Sequence, residues 1–281
     1  MSKIYDKKIS KKVGRTPSYN VHIEYFNTAM EVVDVCNTRQ MTSSRFDDMR
    51  KHSIDKDWHG VNSYEQALEY MRNGYQPTVD TMREKVKASV NGVQEKRFSF
   101  KNDIQGFAPI VPLAMMGVPQ NMLNSHMKQI KAKVIDIYYD MTNSSGTDPE
   151  KLIDAGEKLI GAIIDLEKQG YRFNLYAVQS YTDDKDADML IVKIKSANQP
   201  IDLKRTSFPL MHPAFFRVIG FDWYSKLPNG KYRGGYGRAL KYTFDDDTKF
   251  AYEQLFGKNT VCLTGIEIRR GDMKGVLTNA G

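Results

Sequence analysis

The chain has few of the features that mark secreted, membrane-spanning or metal-binding proteins. Its 281 residues include only two cysteines, and no apolar run approaches the roughly 18 residues of a membrane span. Cys36 and Cys262 lie far apart, without a C-x-x-C pair and without histidines at metal-ligand spacing. The start of the chain lacks the apolar stretch of a signal peptide. We therefore expect an intracellular protein with buried, reduced thiols and no membrane partner.

Signatures of catalysis are missing as well. The sequence has no phosphate-binding glycine loop followed by Lys-Ser or Lys-Thr, no nucleophile elbow and no carboxylate pair at a catalytic spacing. His59 follows Trp58 in a Trp-x-Gly turn, which is more typical of a packed corner than of a catalytic base. These absences favour a protein that binds over one that catalyses.

Positive charge is concentrated at the start of a chain of otherwise ordinary composition, with 41% hydrophobic and 27% charged residues. Residues 1–15 carry six cations and one acid, so they contribute +5 (six minus one) of the net +7. We predict a basic, flexible arm over residues 1–20, since a solvated terminus is the simplest interpretation. The alternative function is nucleic-acid binding by the arm and a later glycine-rich loop. The cations that would carry it are Lys7, Lys8, Lys11, Lys12, Arg15, Arg233 and Arg238.

Residues 21–104 are predicted to form a mainly helical region. Segment 22–41 has apolar residues at helical spacing, and Ser63 has the context of an N-cap for a second helix that ends at Gly74. A third helix is predicted over 77–90.

A methionine- and proline-rich stretch, residues 104–127, follows this region. Methionines usually fill irregular cores, although they also make adaptable binding surfaces. We predict a partly ordered connector packed on the next domain, with the domain boundary near residue 105.

Residues 105–281 are predicted to form an α/β domain. The nearly continuous β-formers of 133–140 indicate a central strand, and a helix with a capping box starting at Thr147 leads to a second, parallel strand over 172–179. The short polar connection to 189–194 cannot hold a crossover, so the third strand should run antiparallel at an edge of the sheet.

Later in this domain the pattern predicts an extended segment over 200–209 and a helix over 213–225. A last strand is predicted over 260–268. The expected fold is therefore a helical N-terminal region followed by a mixed sheet flanked by helices.

The order of strand, helix and two-stranded hairpin resembles von Willebrand factor A domains. Separately, residues 134–217 are similar to proteins of tailed bacteriophages through three short motifs. These are a small hydroxyl- and glycine-rich turn at 142–146, a Leu-Glu-x-x-Gly-Tyr helix end at 166–171 and a His-Pro-Ala-x-x-Arg run at 212–217. A Trp-x-Gly corner at 58–60 fits the same proteins. The resemblance covers about half of the chain and implies no known activity.

One candidate site follows from the resemblance. In von Willebrand A domains the first strand ends in Asp-x-Ser-x-Ser, which with two other loops holds a Mg²⁺ that accepts a partner's carboxylate. Asp140, Thr142 and Ser144 occupy this pattern here, with Thr in place of the first Ser, and Thr206 and Asp222 are candidates for the further ligands. Hydroxyls between a strand and a helix fit turn and capping chemistry equally well, so both interpretations stay open.

Taken together, these patterns predict a phage-encoded, non-catalytic protein. Its von Willebrand A-like domain would contact another phage or host protein in virion assembly, in the host cytoplasm or the virion. Self-association is one form that such contact can take.

Overall fold

The computed structural model describes residues 2–10, 18–43, 45–46, 48–51, 54–90, 98–127, 133–182, 186–228, 248–257 and 260–279. The helices are α1 (Ala29–Thr38), α2 (Lys56–His59), α3 (Tyr64–Asn73), α4 (Gln76–Val90), α5 (Val111–Met115), α6 (Pro149–Lys168), α7 (Leu203–Met211), α8 (Phe221–Ser225), α9 (Thr248–Phe256), α10 (Gly265–Arg270) and α11 (Met273–Asn279), with a π-helix (Phe215–Gly220) directly before α8. Within the described ranges, no helix is both long and apolar enough to cross a bilayer.

Six strands form the large sheet, in the order β1-β2-β8-β7-β6-β9. They are β1 (Lys3–Ser10), β2 (Ser18–Phe26), β6 (Val134–Asp140), β7 (Arg172–Thr182), β8 (Asp186–Lys195) and β9 (Thr260–Thr264). Strand β6 pairs in parallel with β7 and β9, and β7 pairs antiparallel with β8. The predicted α/β class is therefore confirmed, as are the parallel and antiparallel pairings around β7.

Each face of the large sheet has its own core, because side chains alternate along a strand. Ile137 and Tyr139 lie in a large core with helices α1, α3, α4, α6, α7 and α8, whereas Tyr138 packs against a smaller core on the other face, with Tyr252 of α9. Both faces are covered, which explains why the middle of β8 is buried without interruption.

The prediction that β8 lies at an edge of the sheet is wrong, because β2 pairs with its other side in parallel. On its other side, strand β2 pairs antiparallel with β1. Residues 3–10 therefore form a strand, whereas they were predicted to belong to a flexible arm. Residues 11–17 lie outside the described ranges. Because strands from both predicted regions share one sheet, the sheet crosses the predicted boundary at residue 105.

Several predicted elements begin or end elsewhere. The helix predicted over 22–41 is shorter in the structure, where only α1 is helical. Strand β2 continues to Phe26, and the Thr28 hydroxyl caps the start of α1 by accepting from the Glu31 amide. The segment over 200–209 is helical, since the Asp202 carboxylate caps α7. The last strand ends at Thr264, where a capping box with Glu267 starts α10.

The predictions for α3, α4 and α6 are confirmed with small changes. Ser63 caps α3 by accepting from the Gln66 amide, and Gly74 follows its end. Helix α6 starts after Asp148 and not at a Thr147 capping box; the Asp148 side chain makes no capping bond and pairs with Lys151 at 2.5 Å.

Residues 98–127 form the small sheet, whose strands β3 (Phe98–Asp103), β4 (Ala108–Pro109) and β5 (Met122–Met127) lie in the order β3-β5-β4. Helix α5 lies between β4 and β5. The stretch 104–127 is predicted to pack on the next domain, but two of its methionines, Met115 and Met116, are 84% and 76% exposed.

Candidate functional site

Three of the short motifs meet at the carboxyl end of β6, in the loop 141–148 that leads to α6. The Arg217 guanidinium donates from Nη1 to the Trp58 carbonyl and from Nη2 to the Thr147 carbonyl. Its Cζ atom lies 4.5 Å from the centre of the Trp58 ring, and the indole Nε1 of Trp58 donates to the Ser145 carbonyl at 2.7 Å. The turn, the corner and the His-Pro-Ala-x-x-Arg run therefore form one contact network, at the end of the sheet where open α/β folds place their ligands.

Gly60 completes the corner because its backbone needs a residue without a Cβ atom. Its φ angle is +78°, and a Cβ atom there would lie 2.9 Å from His212 Cε1 and 3.0 Å from Pro213 Cγ. The Trp-x-Gly motif and the His-Pro pair thus depend on each other for close packing. This confirms that the Trp58–Gly60 turn is a packed corner.

His212 is buried in an aromatic cluster and does not have the environment of a catalytic base. Its ring lies 4.5 Å from that of Tyr75 and 5.3 Å from that of Tyr70. Nδ1 accepts from the Ala214 amide at 3.2 Å. Burial lowers the pKa of His212 to about 4, so the imidazole is neutral at physiological pH.

Arg217 holds the site together from inside the protein. It lies on the π-helix and is 0% exposed, and burial lowers its pKa to about 10. The guanidinium stays charged at neutral pH, and the nearby Asp148 favours that charge. Because both Nη atoms are bonded to backbone carbonyls, Arg217 positions the loop 141–148.

Asp140 is the centre of a second buried network at the same end of β6. Its Oδ1 atom accepts from the Thr142 amide at 2.9 Å, and Oδ2 accepts from the hydroxyls of Ser180 and Tyr252 at 2.6 Å each. The Thr142 hydroxyl accepts from the Ser180 amide at 2.8 Å. Burial raises the pKa of Asp140, although these hydrogen bonds favour the ionised form.

The structure brings two of the three predicted metal ligands together. Asp140 and Thr142 are neighbours, but Ser144 is exposed and its hydroxyl lies 3.2 Å from that of Thr147. The Asp140 carboxylate already accepts three protein hydrogen bonds, two of them at Oδ2. The described residues also contain no group of three or more His, Cys, Asp or Glu side chains placed to hold a metal. The hydrogen bonds of Asp140 and Thr142 fit turn chemistry, and Mg²⁺ binding by Asp140, Thr142 and Ser144 stays a prediction.

The two further candidate ligands belong to other networks. The Thr206 hydroxyl donates to the Asp202 carbonyl at 2.8 Å within the first turn of α7. Asp222 is 1% exposed and pairs with Lys226 at 2.5 Å and Arg50 at 3.2 Å, while Tyr64 donates to it at 3.0 Å. The contacts of Asp222 join α3 and α8 across the large core.

A second buried ion pair was not predicted. Arg39 donates two hydrogen bonds of 2.8 Å to Glu24, which also accepts from Trp223 at 2.8 Å. Burial alone would raise the pKa of Glu24, but the hydrogen bonds from Arg39 and Trp223 outweigh it and hold the pKa below its ordinary value. The partners lie up to 199 residues apart, so no local pattern could indicate them.

The residues predicted to bind nucleic acid are only partly described. Lys7 and Lys8 lie on β1, where Lys7 Nζ donates to the carbonyl of Leu255 in α9 and Lys8 is exposed. Lys11, Lys12, Arg15, Arg233 and Arg238 lie outside the described residues. Nucleic-acid binding therefore stays a prediction.

Large exposed apolar side chains are concentrated in the region of the small sheet. Ten large apolar side chains are exposed in the described residues, and six of these lie between residues 100 and 116. They are Phe100, Ile104, Phe107, Val111, Met115 and Met116. The rings of Phe100 and Phe107 lie 6.1 Å apart. Exposed apolar clusters of this kind mark binding surfaces, and the methionine-rich composition was their signal in the sequence.

Comparison with known proteins identifies one family. A family model described as a domain of unknown function, DUF7192, matches residues 7–261. No curated protein and no solved structure matches the chain. The matched range includes the small sheet and every strand of the large sheet in whole or in part, so the family model spans both.

Proposed function

The chain belongs to the DUF7192 family, and on that premise we propose that it is a non-catalytic protein that contacts other proteins during phage assembly. Its small sheet provides the contact surface, and a von Willebrand A-like body carries that sheet. The protein acts in the host cytoplasm or in the virion.

The exposed apolar side chains of the small sheet carry this proposal. Phe107, Met115 and Met116 are 64%, 84% and 76% exposed. Large apolar groups in water cost free energy, and soluble monomers rarely concentrate them in one short segment. Flexible methionine side chains adapt to the shape of a partner, which suits a contact surface.

The topology supports the von Willebrand A-like part of the proposal. Strand β6, helix α6 and the β7-β8 hairpin follow in the order found in those domains, and β6 lies inside the sheet. Strands β1 and β2 extend the sheet beyond β8, so they are additions to that arrangement. The contact network of Arg217 gives a physical reason why the phage-like motifs occur together.

The side chains at the carboxyl end of β6 support the proposal that the protein is non-catalytic. Asp140 has its carboxylate occupied by three protein donors, and His212 is buried and neutral. Both side chains stabilise the loop and the corner. The proposal therefore assigns them structural roles and assigns partner contact to the small sheet.

Co-purification from infected cells tests the proposal. A tagged Phe107→Ser/Met116→Ser variant should lose a phage or host component that the unchanged protein retains. The matched control is Val276→Ser, because Val276 on α11 is also exposed, at 40%. Retention of the same components by all three proteins would contradict the proposed surface.

A further inference from the structure

We propose that two copies of this chain form a symmetric dimer by antiparallel pairing of their β3 strands, centred on Asn102. This inference rests on the proposed function, because it names a second copy as one partner of the small sheet. Three observations carry it: the outer edge of β3, the exposure of Phe100 and of Ile104 directly after the strand, and the pattern of charges on β3.

Strand β3 is the open edge of the small sheet. In the part of the chain that the structure describes, β3 pairs with β5 on one side and with no strand on the other. The opposite edge is β4, which has only two residues and includes Pro109, whose nitrogen cannot donate. Strand β3 has six residues and no proline, so it can accept another strand along its length.

Strand β1, at one edge of the large sheet, has the sequence of a protected edge. It carries Lys3, Lys7 and Lys8, and repeated lysines discourage strand pairing through charge repulsion. Strand β3 has one lysine, Lys101, and an acid two residues later, Asp103. Its net charge is zero, so it lacks this protection.

The charges of β3 favour the register centred on Asn102 over its two neighbours. In an antiparallel dimer centred on Asn102, Lys101 lies opposite Asp103 of the second copy, and Phe100 lies next to Ile104, the residue that directly follows β3. The two-fold axis repeats each pair. Phe100 and Ile104 are 60% and 67% exposed, so their contact would remove apolar surface from water.

Neighbouring registers lose these matches. A dimer centred on Lys101 places two lysines opposite each other, and one centred on Asp103 does the same with two aspartates. Like charges directly opposite are destabilising. Since the Asn102 register opposes both unlike charges and apolar pairs, β3 is complementary to itself, and the partner it fits is a second copy.

Cysteine cross-linking tests the register. Asn102→Cys should form a disulfide-linked dimer on mild oxidation, because directly opposed residues have Cα atoms about 4.5–5.5 Å apart, within the range of a disulfide. The matched control is Gln120→Cys, an exposed residue in the loop before β5. Burial raises the pKa of both native thiols, Cys36 and Cys262, so they should stay unreactive. Equal cross-linking of the two variants, or none in either, would overturn the register.

A charge exchange provides a second test. Lys101→Asp should raise the dimer dissociation constant about tenfold in sedimentation equilibrium, because both ion pairs become repulsive. Adding Asp103→Lys restores the opposition of unlike charges and should recover the original constant. An unchanged constant in the single variant, or a double variant weaker than the single one, would contradict the pairing.

These results separate the dimer from the proposed function. If the unchanged chain is monomeric but Phe107→Ser/Met116→Ser still loses its co-purifying component, the dimer is overturned and the contact function stands. If the β3 variants behave as expected and no component depends on Phe107 or Met116, the small sheet serves self-association alone.

Discussion

Arg217 is a fully buried cation that donates to the backbone carbonyls of Trp58 and Thr147. These two carbonyls belong to segments that are distant in the sequence, the corner at α2 and the turn before α6. A single side chain therefore fixes the position of the loop 141–148. Its planar guanidinium also stacks on the Trp58 ring, which a lysine could not do in the same way.

Arg217→Met should lower the free energy of unfolding by about 2–4 kcal/mol, because both carbonyls lose their donor in a buried environment. Urea denaturation measures the loss. Arg205→Met is the matched control, since Arg205 is exposed on α7, and it should change stability by less than about 0.5 kcal/mol. Equal effects would show that the buried hydrogen bonds of Arg217 do not stabilise the loop.

His212 should make stability depend on pH. Its pKa falls from an ordinary value of 6.5 to about 4 in the folded protein, so the unfolded chain binds a proton more readily between these values. The stability due to neutral His212 is complete above about pH 6.5 and should decrease by about 3 kcal/mol as the pH falls to 4. Urea denaturation across this range measures the change.

The matched variant for this prediction is His212→Gln. Asp140 acts in the opposite direction, because burial raises its carboxyl pKa, and it is present in both proteins. The difference between the two pH profiles therefore isolates His212. Parallel profiles would mean that the imidazole is not held neutral by burial.

Helix α6 packs closely on α7 at one glycine and leaves another glycine uncovered. A Cβ atom on Gly156 would lie 2.5 Å from Met211 Cγ and 2.6 Å from the Leu210 carbonyl oxygen. A Cβ atom on Gly161 would meet no atom within 4 Å. The same helix thus contains a glycine that packing requires and one that packing does not.

Gly156→Ala should lower the free energy of unfolding by about 1–3 kcal/mol, because α7 backbone must move to admit the methyl group. Gly161→Ala should raise it by about 0.5–1 kcal/mol, since alanine favours the helix and nothing obstructs it. Chemical denaturation of both variants checks the opposite signs. Two stabilised variants would show that α6 and α7 are not in close contact at Gly156.

Local patterns predicted the elements whose signals lie within a short segment. The β6-α6-β7-β8 order followed from apolar spacing and from a connection too short for a crossover. The prediction extended the helix into β2 because Phe26 continues the helical spacing of α1. The end of the strand and the N-cap at Asn27-Thr28 have no strong signal in that spacing. The inner position of β8 depends on β2, whose residues lie more than 160 positions away, so no local signal existed.

In the candidate site, too, the sequence indicated contacts between neighbouring residues but not contacts between distant ones. The closeness of Asp140 and Thr142 follows from their positions two residues apart, and the sequence indicated it. The contacts of Arg217 with Trp58 and Thr147 span 159 and 70 residues, and only the fold brings them together. The methionine-rich composition around Met115 and Met116 was a signal of a binding surface, but it did not decide the matter, since the same composition suits a core.

At the scale of the whole molecule, the large sheet unites both ends of the chain. Strands β1 and β2 lie on one side and β9 on the other, and helices cover both faces. The small sheet differs, because six of its large apolar side chains are exposed and, among the described residues, no strand pairs with the outer edge of β3. The account therefore assigns stability to the large sheet and contact with other proteins to the small sheet.

Amide hydrogen exchange at low and high protein concentration tests this assignment most directly. The backbone amides of residues 99–103 that point away from β5 should exchange more slowly at high concentration, because the second copy then bonds to the β3 edge. The amides of β7 should exchange at the same rate in both samples. Equal exchange of residues 99–103 at the two concentrations, or slower exchange at β1 instead, would contradict the account.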